Sequence, residues 1–327
     1  MIDNSRILVT GGAGFIGSNL VEDLLSRDNE VVVLDNFSTG KRENLELFAN
    51  DRRFTLIEGD IRDYATCLKA VDGADYVMHE AALGSVPHSI DNPMLATDVN
   101  IGGFVNMLYA AKEAKVKCFA YAASSATYGD AEYSPKVEDR IGKPLSPYAI
   151  TKYVDELYAA NFHNLYGINT VGLRYFNVFG RRQDPYGAYA AVIPIFAMRL
   201  LSLTSPVING DGSFSRDFTH VSNVVLANNL ALLSKDERAL NQVYNVACGE
   251  STSLNQLFDA LKGALAQIKP DIAGISPVHG PERVGDIPHS LASIDKISSL
   301  LGYKPVMMFE EGIKATAKWY ADNLVDT

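Results

Sequence analysis

Apolar residues in the first half of the chain fall in short continuous runs, each followed by a stretch patterned for helix. Arg6-Ile7-Leu8-Val9-Thr10 is the first run; it breaks into glycines and resumes as Ile16, Leu20, Val21, Leu24 and Leu25 at helical spacing. Further runs at 30–34, 54–59, 74–79, 117–122 and 170–175 read as strands, and 64–71, 93–114 and 148–166 read as helices. Strands that are apolar throughout, not alternating, are buried on both faces, as in a parallel sheet between two helical layers. The expected architecture is α/β: a Rossmann-type doubly wound parallel sheet.

After about residue 180 the pattern changes. The polar stretch Arg181-Arg182-Gln183-Asp184-Pro185 leads into expected helices at 190–201, 223–233, 254–266 and 310–323. Short strands are expected among them at 206–209, 217–221 and 243–246. This predicts a first domain over 1–180 and a smaller mixed α/β domain over 181–327. No Pro-, Gly- or Ser-rich linker separates them, so the two should pack closely, with segments free to interleave.

In open parallel sheets ligands bind beyond the carboxyl ends of the strands. Asp35, Asp60, Ala81-Ala82, Ser124 and Asn177 all fall at or just past such ends, so five segments converge on one crevice. Gly11, Gly14 and Gly17 suit a tight turn, a close approach to pyrophosphate and close helix–strand packing. The anion would rest on helix N-terminal amides. Asp35, closing the second strand, is placed to accept from a ribose 2′-hydroxyl and to repel a 2′-phosphate, which favours NAD over NADP. Arg42 in the next loop is the feature that weighs the other way.

Tyr148 precedes Lys152 by one helical turn, so phenol and ammonium share a face. A cation about 4 Å away is worth about 4 kcal/mol at an effective dielectric near 20, roughly three pKa units. That brings a phenol into the range of a general base. Among other polar residues, His79 on its buried strand reads as a satisfied core histidine, and Tyr128 as a packing residue or a cofactor contact. Asp98, Asp155 and Glu156 read as helix caps or solvated charges.

Composition narrows the classes. The 327 residues are 47% hydrophobic and 21% charged, with a net charge of −10, which disfavours nucleic acid and acidic membranes as partners. Cys67, Cys118 and Cys248 are scattered without metal-ligand spacing, as expected in a reducing compartment. The chain runs straight into its first strand and has no apolar run of membrane-spanning length. The cytoplasm is therefore the expected location.

These motifs, with Asn100-Ile101-Gly102-Gly103, Ser124-Ser125-Ala126-Thr127-Tyr128-Gly129 and Arg174-Tyr175-Phe176-Asn177-Val178-Phe179-Gly180, resemble the extended short-chain dehydrogenase/reductase family over nearly the whole chain. Leu83-Gly84-Ser85-Val86-Pro87 and 188–194 bring the chain nearest to the UDP-hexose 4-epimerases, especially those acting on UDP-N-acetylhexosamines. The resemblance implies a tightly held NAD at Gly11, Gly14, Phe15, Ile16, Gly17, Asp35 and Asn36. It adds Asp60, Ile61, Ala81, Ala82, Asn100 and Tyr175, together with Tyr148 and Lys152. Tyr148 would be the base at the sugar 4-hydroxyl, Lys152 would activate Tyr148, and Ser124 would bond the reacting oxygen.

UDP-sugar contacts are implied at Gly84, Ser85, Ser125 and Asn177, with Ala191 and Val192 beside the sugar. Val207 and Asn209 would flank the uracil, Arg216 and Arg283 the diphosphate, and Asp286 the uridine ribose. Ser290 stands where a bulky tyrosine marks relatives that reject N-acetylated sugars. A homodimer through the helices near 93–114 and 148–166 is also implied. Relatives that eliminate water or decarboxylate carry an acid just after the serine, where this chain has Ser125-Ala126. A non-catalytic nucleotide sensor is disfavoured by the intact Tyr148–Lys152 pair.

Overall fold

The computed structural model describes residues 1–187, 190–282 and 287–324. Seven parallel strands form the main sheet: β1 (Arg6–Thr10), β2 (Glu30–Asp35), β3 (Phe54–Glu58), β4 (Tyr76–His79), β5 (Cys118–Ser124), β6 (Thr170–Tyr175) and β7 (Gln242–Val246). Their order is β7-β6-β5-β4-β1-β2-β3, so the winding reverses where β4 lies beside β1. Ligand crevices open at such a switch point.

Successive side chains of each strand serve opposite cores. Ile7, Val9, Val31 and Val33 pack with Leu20 and Leu24 of α1 (Phe15–Leu25). Leu8, Val32 and Leu34 face the other way, toward Met107 and Leu108 of α2 (Phe104–Glu113). Each such side chain contributes about 1.5–3 kcal/mol when fully buried. Helix α3 (Pro147–Tyr166) begins where Ser146 accepts the Ala149 N–H, carries Pro147 at its first position and stops at Gly167 with φ 73°. A third core joins α4 (Val192–Leu201), α6 (Leu254–Ala266) and α7 (Phe309–Asn323) through Phe196, Leu261 and Ile313. The helix between them in sequence, α5 (Val221–Leu233), instead packs on α1, and β7 completes the main sheet. Segments of the second half are thus woven into the first.

Three details depart from the sequence expectation. The helix expected over 93–114 contains a π-helical turn at Asp98–Gly103. A Cβ on Gly103 would lie 2.4 Å from the Ile61 side chain, which would have to shift to admit it. The strand expected over 217–221 is divided into Ser215–Arg216 and Thr219–His220, and Val221 already begins α5. Between them the buried Asp217 carboxylate accepts N–H bonds from Cys248 and Gly249 at 2.9 and 3.0 Å, which takes the chain off the ladder. Finally, β3 is an exposed edge and not a buried strand, with Thr55, Leu56 and Glu58 facing out.

Candidate active site

The turn after β1 is built around close backbone approach. Gly11 has φ 69°, and a Cβ there would sit 2.7 Å from the Ala81 nitrogen; one on Gly17 would sit 2.1 Å from the Gly11 oxygen. Gly14 opens α1 with no side-chain cap and no acid in the first turn, leaving its amides for an anion. At the end of β2, Asp35 accepts from Ala13 N at 2.9 Å and Phe37 N at 2.8 Å. Burial raises its pKa, against the pull of those bonds. Arg42 is turned away: it forks onto Glu58 at 2.8 Å and stacks on Phe37 at 4.0 Å. Beside it, Asn36 donates to Asp60 at 2.9 Å, and the Arg62 guanidinium holds the Asp60 carboxyl down at about 2.

The neighbouring strand ends carry a polar floor. His79 is buried, 2.8 Å from Thr10 Oγ1 and packed against Phe104 and Phe119, a core histidine as its strand implied. Glu80 takes a 2.7 Å bond from the Tyr175 hydroxyl, which accepts at 2.9 Å from Asn228. Burial pushes Glu80 up to about 7, opposed by the Tyr175 bond and the Lys152 charge. Sequence reasoning assigned Glu80 no role; its one signal was a charge at the end of a buried strand. Tyr128 is a packing residue: it is buried against Phe176 and Arg174 and donates to Asn245 at 2.7 Å.

Ser124 ends β5 in register with Tyr175 and accepts the Ala126 N–H at 3.1 Å, leaving its own proton to donate. Tyr148 opens α3, where its N–H donates to Ser89 Oγ at 3.0 Å. One turn on, Lys152 donates to the Ala122 carbonyl at 2.9 Å and lies 3.4 Å from Asp155 Oδ2. Asp155 and Glu156 correct the sequence reading: both are buried, Asp155 against Lys152 and Glu156 in a forked pair with Arg174 at 2.7–2.8 Å. Asp98 does face solvent, 3.2 Å from Arg62.

A cleft of about 1340 Å³ unites these groups. Gly11, Gly14, Phe15, Ile16, Gly17, Asp35, Asn36, Asp60, Ile61, Ala81, Ala82 and Tyr175 line one part of it. Gly84, Ser85, Ser124, Ser125, Tyr148, Lys152, Asn177, Ala191, Arg216 and Ser290 line the rest. Asn100 stands behind the wall, bonding Leu83 N at 2.8 Å and Thr151 Oγ1 at 3.0 Å. Val192 follows Ala191 into α4, and Val207 and Asn209 lie on a two-stranded strip with Val278–Gly280; none of these three is among the lining residues. Arg283 and Asp286 lie outside the described residues. Arg181 and Arg182 tie the second half to α1 through Glu22, and Arg182 also reaches the cleft. Lys41 and Asp184, absent from the expectation, pair at 2.9 Å across the cleft and join sequence-distant loops.

The glycine turn, the acid ending β2 and the Ser-Tyr-Lys set in one cleft define a dinucleotide-dependent enzyme on a Rossmann scaffold. Residues 7–247 match the model of the NAD dependent epimerase/dehydratase family, and the chain belongs to that family. It is 38% identical over 319 residues to the putative UDP-glucose 4-epimerase of Methanocaldococcus jannaschii, covering 97% of this chain and 99% of that one. The solved UDP-N-acetylglucosamine 4-epimerase of Methanobrevibacter ruminantium M1, in complex with UDP-N-acetylmuramic acid, superposes with a TM-score of 0.91 at 41% identity, over 98% and 99% of the two chains. The UDP-glucose 4-epimerase of Thermotoga maritima with UDP-glucose gives 0.89 at 37%, with the same coverage. The cofactor is NAD. The residues fit it: a cradle that any Cβ would fill, a carboxylate at the second strand end, and an arginine engaged elsewhere. Among the described residues no helix is long and apolar enough to cross a membrane.

Proposed function

We propose that this chain is a UDP-sugar 4-epimerase that prefers UDP-GlcNAc and UDP-GalNAc. The observation that carries the reading is one cleft shared by Ser124, Tyr148 and Lys152 with Arg216 and Ser290. Tyr148 removes the proton from the sugar 4-hydroxyl and later returns it, as a positioned acid–base group does. Ser124, whose oxygen is already satisfied by Ala126 N–H, donates to the same substrate oxygen. NAD, when bound, supplies the acceptance and return of the hydride at C4. Arg216 pairs with the diphosphate, for which a planar guanidinium suits two parallel bonds. The small Ser290 and Ala191 leave space for an acetamido group.

The positions after Ser124 are Ser125 and Ala126; both line the cleft and neither brings the acid that elimination or decarboxylation needs. The test is incubation with a panel of UDP-sugars without added NAD, followed by separation of C4 epimers. Interconversion of the N-acetylated pair supports the reading, and consumption without a 4-epimer overturns it. A homodimer is part of the proposal: Ile150, Leu157, Tyr158 and Leu165 are exposed along one stripe of α3. Sedimentation at micromolar concentration checks it.

A further inference from the structure

Tyr148, Lys152 and Asp155 stand at positions i, i+4 and i+7 of α3, so all three share one face across two turns. Lys152 is 3% exposed and Asp155 not at all, and their charged atoms are 3.4 Å apart. The second oxygen of Asp155 is buried without a hydrogen-bond partner, so no other group is committed to holding it as an anion.

We propose that Asp155 is a positioning residue for the Tyr148 base: its carboxylate takes a share of the Lys152 ammonium and thereby sets how strongly that ammonium favours the phenolate. This rests on the reading of Tyr148 as the base. The groups around the pair are few. Glu156 lies on the same helix, Tyr121 on β5 and Arg174 on β6, while His79 and Glu80 at the end of β4 face Lys152. Glu156 and Arg174 are paired with each other, so neither neutralises Asp155. Burial pushes the Asp155 carboxyl up to about 7, against the pull of Lys152. The Asp155 carboxylate and the Lys152 ammonium are thus a coupled pair, and whatever the anion draws from the ammonium is withdrawn from the phenol one turn away.

The experiment follows the red-shifted absorption of tyrosinate against pH in the NAD-loaded protein, with Tyr148→Phe subtracted to isolate one phenol. Asp155→Asn and Asp155→Ser remove the charge at two different volumes, so one folded variant suffices. Asp155→Glu keeps the charge. Seven residues span about 10.5 Å of helix, and a charge at that distance in an effective dielectric near 20 moves a neighbouring titration by about one pH unit. Both neutral variants are therefore expected to ionise Tyr148 about one unit lower, with the acid limb of kcat moving equally and KM unchanged. The Glu variant should stay at the parent value. A folded neutral variant whose Tyr148 titration does not move overturns the proposal and leaves Asp155 a packing residue. The absorption requires no substrate, so it reads Asp155 even if the epimerase assignment fails, and that assignment fails separately if no UDP-sugar turns over.

Discussion

Ser290 and Arg216 are register partners in adjacent parallel strands, and both line the cleft that holds Tyr148. The residue proposed to anchor the diphosphate and the one proposed to border the sugar are thereby held at a fixed spacing by backbone bonds. The Ser290 carbonyl also accepts from Asp217 N at 2.8 Å, so its backbone is firmly placed. A change of side chain at 290 should alter the pocket without moving the strand.

Ser290→Tyr is accordingly expected to act as a gate. Overpacking against a larger substituent costs about 1–3 kcal/mol, so turnover of UDP-GlcNAc and UDP-GalNAc should fall by roughly fivefold to 150-fold. UDP-Glc and UDP-Gal, lacking the acetamido group, should be spared. Parallel kcat/KM measurements on the two substrate pairs decide it: equal losses on both would mean general damage.

Tyr148→Phe removes one oxygen and leaves the ring. A positioned acid–base group commonly contributes at least about a hundredfold to rate, and the variant should lose that much in kcat. NAD should still copurify, because the glycine turn and Asp35 are untouched. Near-normal turnover in Tyr148→Phe would remove this residue from the mechanism.

The parts of this architecture with long, uniform patterns were readable before the fold. Continuous apolar runs such as Val31–Leu34 can be buried on both faces only in a covered parallel sheet, and the glycine turn has few other uses. Asp155 and Glu156 were misread because charges on a helix are ordinarily solvated. What buries them is Arg174 on a strand eighteen residues further on and the inward turn of Lys152. The two-residue strands Ser215–Arg216 and His289–Ser290 cover a single period of alternation, too short to show a repeat, so their pairing could not be seen. Asn100 was expected to contact NAD, but it stands behind the cleft wall, a place that depends on a π-helical turn with no periodicity of its own.

The buried Glu156–Arg174 pair gives a stability prediction. Both side chains are nearly inaccessible, at 6% and 4% exposure, and they bond at 2.7 Å. Glu156→Gln strands a guanidinium in a low-dielectric setting, which typically costs about 3–5 kcal/mol. Replacing both residues with methionine should recover much of that loss, because the charge and its desolvation leave together. Urea unfolding of the single and double variants measures the difference; a double variant no more stable than the single would show that the pair itself is stabilising.

His79 sets a pH dependence whose direction follows from burial. Its ring is 2% exposed, and desolvation, aided by the Lys152 charge, depresses its pKa from 6.5 to about 3. The unfolded chain takes up a proton below 6.5 that the folded chain refuses until about 3, so this contribution to stability is whole above 6.5 and is lost as pH falls toward 3. At about pH 4 the loss is on the order of 3 kcal/mol. His220, held down to about 4 by burial and by Arg181, acts in the same direction. His79→Phe keeps a flat ring between Phe104 and Phe119 but cannot titrate. It should cost about 1 kcal/mol near neutral pH through the Thr10 hydroxyl, which loses its His79 bond and keeps only that from Ala81 N. Its melting temperature should then fall less steeply than that of the parent between pH 6.5 and 4, with the residual slope set by His220 and, in the opposite direction, by the buried carboxyls Glu80, Asp155 and Asp217. Thermal unfolding across that range reads both slopes, and parallel curves would mean that His79 already carries its proton in the folded protein.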